Sequence, residues 1–417
     1  MPQRPYQISI CGTFDVENYG DLLFPLIAQK ELSDRLGDVR LHRFSYHQKR
    51  QPEWPFEVTS LVDFPQMVGE LDGVLIGGGH ILRFDKLIAR DYFPPSPQIH
   101  HPTGYWLSPI LAAVTNGIPV AWNAPGMLGR VPAWAAQLME LAVRNSNYVS
   151  VRDRESRAAL ERYAGEAPVR IVPDTAFGIS RLLSDRPSRD YETLCRERGL
   201  TRPYIVVQAT APLLPFYRFA LGHPALFGGG QILLLASGPM LGDDVALFGE
   251  PPANVIQMQR PPHPLLLAEL IRGARLVVAD SLHVSISALA LRVPLFRPAD
   301  RLAGKYALLK DFDGVFTYGK WRIRPEQFLS ALQSPRTSRQ LPVIQKQLQR
   351  HWDAIAAVFA TNSARAVVAA SSVELWQRMP SMLESPAPWW SRLRGRLGRR
   401  PSFASFNSFA SLLRARV

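Results

Sequence analysis

The chain has 417 residues, 47% of them hydrophobic, a formal charge of +13 and only two cysteines, Cys11 and Cys195. The length exceeds one ordinary core and implies two domains. Two cysteines exclude a disulfide framework and a cysteine-rich metal site. The excess of base points to anionic partners: nucleic acid, acidic lipid or phosphorylated substrates. No apolar run reaches the roughly 18 residues that span a bilayer. Met1 to Gln7 lacks the basic-then-apolar layout of a signal peptide. A cytosolic protein is expected, in the compartment that holds phosphorylated metabolites.

Residues 6–12 form the first expected strand, followed by a Gly/Asp/Asn-rich turn and a helix from about Leu22 to Leu36. Strands are expected at 39–45 and at 73–76, the latter ending in Gly77-Gly78-Gly79. Short apolar runs follow at 118–122, 148–151 and 169–172, each after a plausible helix or turn. Strands alternating with helices predict a doubly wound parallel sheet. Around 184–189 the composition shifts to Ser, Asp, Pro and Arg, which reads as a linker. Further strands at 204–209, 232–236, 255–258, 276–279 and 295–297 repeat the rhythm.

The expected fold is therefore α/β, with two Rossmann-like domains facing across a cleft in a GT-B-like arrangement. They are expected over residues 1–186 and 187–335. A helical segment is expected over 336–384, where Ile344, Leu348, Trp352, Ile355, Val358 and Phe359 recur at about 3.6 spacing. Residues 385–417 form a basic tail: no acidic residue follows Glu384, yet Arg392, Arg394, Arg396, Arg399, Arg400, Arg414 and Arg416 do. Trp389, Trp390, Phe403, Phe406 and Phe409 are interleaved. The mixture suits an interfacial membrane segment. A disordered basic tail is the alternative.

The densest chemistry lies in Val277 to Leu295: a short strand, the elbow Asp280-Ser281-Leu282-His283, an amphipathic helix and a second strand. Such an elbow lies at the carboxyl end of a parallel strand, where open α/β sheets bind ligands. The helix start favours an anion, because free amides and dipole both point there. An imidazole passes protons both ways near neutral pH, so His283 is the best titratable candidate.

Four other segments carry candidates. Gly12 to Asp21 joins strand to helix, and Asp15, Asn18, Gly20 and Asp21 let the backbone turn sharply and approach a ligand. The alternative is a polar loop with Asp21 capping the helix. Gly77, Gly78 and Gly79 allow close backbone approach, as in phosphate-cradling loops, or make a tight turn. They lack the Gly-Lys-Ser/Thr of a triphosphate loop. Arg152, at a strand end, offers a planar fork for phosphate or carboxylate. Asp153 either orients that fork or caps the next helix, with Ser156 close behind. Asp174, after Pro173, is a strand-end carboxylate or a cap. His100-His101 has no third ligand placed by sequence, so zinc is not expected.

Together these pieces resemble the polysaccharide pyruvyl transferase family. Gly12 to Asp21 answers the family's Gly-x-Gly-Asn-x-Gly-Asp-like opening, and Val74 to Gly79 its strand ending in triple glycine. Val151, Arg152, Asp153 and Ser156 answer Val-x-Arg-Asp-x-x-Ser, and Pro173-Asp174 answers a Pro-Asp pair. Ser281-Leu282-His283 through Pro294 answers Arg-Leu-His before a small-residue helix and a Val/Ile-Pro strand. The ordered set spans about residues 8–300. One departure stands out: the family arginine before Leu-His, which helps bind phosphoenolpyruvate, is Ser281 here. Its loss would cost about 1.5–3 kcal/mol per hydrogen bond to a charged group. Either another arginine substitutes, with Arg272 and Arg275 the candidates, or the donor differs.

The resemblance implies transfer of a pyruvyl group from phosphoenolpyruvate to two hydroxyls of a sugar, giving a ketal. The acceptor would belong to a polysaccharide or a lipid-linked oligosaccharide. His283 would serve as acid/base and Arg152 would favour departure of phosphate. Asp15, Asn18, Gly20, Asp21, Gly77, Gly78, Gly79, Asp153, Ser156, Asp174, Ser281 and Leu282 would line the substrates. No metal or organic cofactor is expected beyond phosphoenolpyruvate as donor, and no nucleic acid. The tail would touch acidic lipid at the inner face of the membrane. Two rivals remain open: a GT-B glycosyltransferase using a nucleotide sugar, and a non-catalytic component of an envelope-polysaccharide machine.

Overall fold

A computed structural model describes residues 4–84, 99, 103–298, 302–318, 325–333 and 338–361. The chain divides into two compact units, 1–376 and 377–417. The second unit, with the basic tail, lies outside the described residues, as does the expected helical stretch beyond 361.

The first half runs β1 (Tyr6–Cys11), α1 (Tyr19–Leu36), β2 (Val39–Ser45), β3 (Thr59–Ser60), α2 (Phe64–Met67) and β4 (Gly73–Ile76). It continues through β5 (Leu82–Arg83), α3 (Leu107–Thr115), β6 (Val120–Trp122) and β7 (Met127–Leu128). It closes with α4 (Ala136–Asn145), β8 (Val149–Val151), α5 (Arg154–Ala164) and β9 (Val169–Ile171). Strands β3-β2-β1-β4-β6 form one parallel sheet. The β8–β9 pair extends it through a single parallel bridge, Ala121 to Tyr148. In β1, Ile8, Ser9, Ile10 and Cys11 are all fully buried. A parallel strand covered on both faces reads as a continuous apolar run rather than an alternation.

The second half holds α6 (Arg189–Arg198), β10 (Tyr204–Gln208), α7 (Leu214–Gly222), β11 (Gln231–Leu235), β12 (Val255–Met258) and α8 (Pro264–Gly273). Then come β13 (Leu276–Val278), α9 (Leu282–Ala290), β14 (Leu295–Pro298), β15 (Val315–Tyr318), α10 (Pro325–Gln333) and α11 (Gln340–Ala360). Its sheet order is β12-β11-β10-β13-β14-β15, with every pairing parallel. Strand β15 is an edge that sequence reading missed, because it is mostly half-buried and carries no clean apolar run. The two sheets thus share one winding. Each reverses direction of travel once, between β1 and β4 and between β10 and β13, and such switch points open a crevice beyond the strand ends.

Helix α1 begins three residues earlier than expected. Asn18 is the cap: its Oδ1 accepts from Gly20 N at 3.3 Å and its Nδ2 donates to Asp21 Oδ2 at 2.9 Å. Asp21 therefore sits inside the first turn and is not the cap.

The two halves are sewn together rather than merely tethered. Tyr19 N donates to Ser237 O at 2.9 Å, and Tyr19 OH donates to Ser287 Oγ at 2.8 Å. Phe177 stacks on Phe312 at 5.4 Å between centroids. One cluster of buried apolar side chains runs from α1 through to α9. Helix α11 returns to the first sheet, where His351 receives Tyr148 OH at 2.9 Å and donates to Asn123 Oδ1 at 3.1 Å. Among the described residues no helix is long and apolar enough to cross a membrane.

Candidate active site

Asp174 is the centre of the site. It follows β9 and is almost fully buried. Its Oδ1 accepts from Ala176 N at 3.1 Å, so it caps the next turn of chain. Its Oδ2 takes Arg152 Nη1 at 3.1 Å and faces His283 Nε2 at 3.6 Å. Arg152 comes from the end of β8 in the first half, and His283 from the first turn of α9 in the second. Burial alone would push the Asp174 carboxyl up. The imidazole of His283 and the guanidinium of Arg152 outweigh it and hold the group at about 2. The carboxylate thus stays charged. The 3.6 Å separation is an ion-pair distance, longer than a hydrogen bond. His283 Nε2 and Arg152 Nη2 have no hydrogen-bond partner among the described residues, and Arg152 Nε faces Asp153 only at 3.7 Å. A buried guanidinium with unmet N–H groups has donors to offer an anion, since leaving such donors unpaired is costly.

The glycine-rich segments close round this centre. A Cβ on Gly20 would fall within the His283 ring, so only glycine lets the two halves approach here. Phe24 meets the same ring edge-on at 5.4 Å. Gly79 has φ +89, a left-handed conformation that favours glycine. A Cβ there would stand 3.1 Å from Asp21 Oδ1. Burial pushes the Asp21 carboxyl up, tempered by His283 and by hydrogen bonds from Thr13 and Asn18. Gly77 and Gly78 lie against the rings of Phe14 and Phe24, where any side chain would collide.

Other sequence candidates are occupied in holding the frame. Asp15 accepts from Ser45 Oγ at 2.5 Å and from His47 N at 2.7 Å, pinning its loop to β2. Asp153 caps α5 by accepting from Ser156 N at 2.7 Å, and Ser156 Oγ accepts from Met127 N at 2.8 Å. Ser281 caps α9 through a long 3.5 Å contact to Val284 N, and Leu282 is buried.

Several residues enter the site without having been singled out. Gln208, at the end of β10, accepts from Asp280 N at 2.9 Å and Ser281 N at 2.7 Å. It donates in turn to Asp243 at 3.1 and 2.9 Å, and burial pushes that carboxyl up. Arg297, at the end of β14, clasps the elbow: Nη1 donates to Asp280 O at 2.8 Å and Nη2 to Asp280 Oδ1 at 2.9 Å. Its guanidinium lies 3.8 Å over Tyr306. The expected substitutes for the family arginine do not fit. Arg272 donates to Ser184 O and Glu269, and Arg275 lies beside Gly228; both precede β13 and occupy the amino end of its sheet. Arg297 is the arginine at the elbow. His80, directly after the triple glycine, also belongs here, because a Cβ on Gly126 would meet both its ring and Arg152.

Among the described residues no three His, Cys, Asp or Glu side chains gather as a metal would need. An open depression of about 820 Å³, lined by Arg4, His42, Glu70 and Ile118 among others, lies at the amino ends of β1, β4 and β6. It is on the opposite side from Asp174, and the carboxyl ends are where such sheets bind ligands.

The sequence profile of the polysaccharide pyruvyl transferases matches residues 18–297. The chain belongs to that family. The matched span runs from Asn18 to Arg297, and so includes Arg152, Asp174 and His283. No curated protein matches the sequence. Among solved structures, this family member is similar to the UDP-GlcNAc 2-epimerase of Methanocaldococcus jannaschii, with a TM-score of 0.53 and 11% identity over 85% of this chain and 100% of that one. The UDP-GlcNAc 2-epimerase of Neisseria meningitidis, bound to UDP-GlcNAc, is similar at a TM-score of 0.51 and 11% identity over 86% and 99%. At such identity the likeness concerns the fold, and the fold is GT-B-like.

Proposed function

We propose that the protein transfers the pyruvyl group of phosphoenolpyruvate to two hydroxyls of a sugar, forming a ketal on a polysaccharide or lipid-linked oligosaccharide. The observation that carries this reading is the Asp174 carboxylate, shared by Arg152 and His283 from opposite halves of the chain. In the first step a sugar hydroxyl adds to C2 of phosphoenolpyruvate. The C2=C3 electrons take a proton, and C3 becomes a methyl group. His283 is placed to deliver that proton, steadied by the Asp174 carboxylate. In the second step the C2–O bond to phosphate breaks, and the second hydroxyl adds at C2. Two hydroxyl protons are released: one resides on C3, the other leaves on phosphate. Arg152 offers unmet N–H groups to the phosphate or carboxylate, in a site whose low dielectric strengthens the contact.

No metal or organic cofactor takes part in this scheme, and nucleic acid is no partner. The tail at 385–417 would hold the protein on acidic lipid at the cytoplasmic face, near a lipid-linked acceptor. Truncation at 385 should then weaken binding to anionic vesicles.

Calorimetry with phosphoenolpyruvate tests the reading. Wild type should bind it, and R152Q should bind about 10–100-fold more weakly, as loss of one charged hydrogen bond predicts. A protein that ignores phosphoenolpyruvate yet binds a nucleotide sugar would be a glycosyltransferase instead. One that binds neither donor would point to the non-catalytic role.

A further inference from the structure

We infer that His80 is a second catalytic residue of this site, the base that takes the proton from the attacking sugar hydroxyl. The inference rests on the pyruvyl transfer reading above. His80 lies on the rim of the β1–β4 switch point, directly after Gly79, and is only half-buried. Its Nε2 contacts Met127 O at 3.1 Å. A carbonyl only accepts, so Nε2 carries the hydrogen and Nδ1 keeps its lone pair. The ring is therefore set in the tautomer of a base.

Its neighbourhood is built for this. Gly126 N donates to Gly79 O at 2.7 Å, which ties the loop after β6 to the loop after β4. Two residues before Gly126, Ala124 has φ 49, a strained value for a residue with a side chain. At Gly126 a Cβ would stand 2.8 Å from His80 Cδ2 and 2.6 Å from Arg152 Nε. Imidazole and guanidinium thus pack together against Gly126, in the space a side chain there would need. The charged groups that act on His80 are Arg152, Lys305 and Asp153. Burial first, then Arg152 and Lys305, pull the imidazole down to about 4, so it is neutral in the free protein. Phosphoenolpyruvate bound at Arg152 would offset those cations and raise the basicity of His80 as the substrate arrives. His283 stands against the Asp174 carboxylate instead, an environment of opposite sign.

The proton count closes. As the first sugar oxygen bonds to C2, His80 Nδ1 takes its proton while His283 gives one to C3. When phosphate leaves, the proton on His80 goes with it. The second hydroxyl gives its proton to His283 as it bonds to C2. Both imidazoles end as they began.

The test is H80Q, assayed by phosphate release from phosphoenolpyruvate to a panel of methyl glycosides. Phosphoenolpyruvate binding is followed by calorimetry and the fold by circular dichroism. Turnover should fall by about 10²–10⁴-fold, the range for loss of a general base, while phosphoenolpyruvate affinity changes less than about threefold. A folded H80Q that binds phosphoenolpyruvate and turns over within threefold of wild type overturns the assignment and leaves pyruvyl transfer standing. Wild type that neither binds phosphoenolpyruvate nor releases phosphate from it sinks both. Should H80Q fail to fold, NMR titration of the wild-type His80 ring decides. Its midpoint should lie well below 6.5 in the free protein and rise when phosphoenolpyruvate is added; an unmoved midpoint rejects the role.

Discussion

The His283 ring fills the space a side chain on Gly20 would need. Gly20 belongs to the first turn of α1 and His283 to the first turn of α9, so the contact registers one half of the molecule on the other. Asn18 and Tyr19, just before it, bind Asp21 and Ser237. The N-terminal loop is in this sense a gauge for the position of the imidazole.

Gly20→Ala should therefore push His283 away from Asp174. Overpacking a tight contact costs roughly 1–3 kcal/mol. Transfer should fall at least about tenfold, because small misplacements of a reacting group are expensive, while phosphoenolpyruvate still binds at Arg152. A G20A protein with wild-type turnover would show that His283 need not hold this position.

Asp174→Asn keeps the shape and removes the charge. Arg152, almost fully buried, would then lack its closest counter-ion. Breaking a buried pair from one side costs about 3–5 kcal/mol. Urea unfolding of D174N should show a loss of that order, with transfer abolished. An unchanged midpoint would mean that Arg152 finds compensation elsewhere.

Acid should weaken the fold well before it reaches Asp174. His351 is buried and held at about 3, by burial first and Arg35 second, against an ordinary 6.5. The unfolded chain takes up that proton first, so the contribution is whole above about 6.5 and is lost as pH falls towards 3. His80 acts with the same sign between 6.5 and about 4. Asp174, depressed from 3.8 to about 2, contributes above 3.8 and is lost only below that. Urea midpoints should fall steadily from pH 6.5 to 4.5. H351Q should reduce the slope by up to one proton, about 1.4 kcal/mol per pH unit. A flat profile over that range would contradict the buried neutral state of His351.

Ser281→Arg restores the family arginine. The elbow already holds Arg297, bound to Asp280, so the added guanidinium would be the second one there. Affinity for phosphoenolpyruvate, measured by calorimetry, should hold or rise. A loss of more than about tenfold would mean that the pocket has been remodelled around serine.

Much of this was legible in the sequence. The strands at β1, β4, β10, β11 and β13 announce themselves as short, mainly apolar runs, because a parallel strand buried on both faces needs no polar alternation. Glycines and strand-end Arg and Asp mark the loops at the carboxyl ends, where backbone must turn or approach closely. Even the failure of Arg272 and Arg275 was readable: residues before a strand sit at its amino end, away from the elbow that follows it.

Tertiary structure alone decided the rest. Asn18 and Asp21 are equally good caps on paper, and only the backbone path into α1 selects Asn18. Asp174 reads locally as a cap, and it is one; that it also joins Arg152 to His283 depends on two sheets closing on each other. His80 and Arg297 carry no local signal of function, since each owes its place to a neighbour distant in sequence: Gly126 with Arg152 for one, the Asp280 elbow for the other. Periodicity and turn chemistry are local and survive in a string of residues. The meeting of charges across a crevice depends on the mutual packing of α1 and α9, which no window of sequence contains.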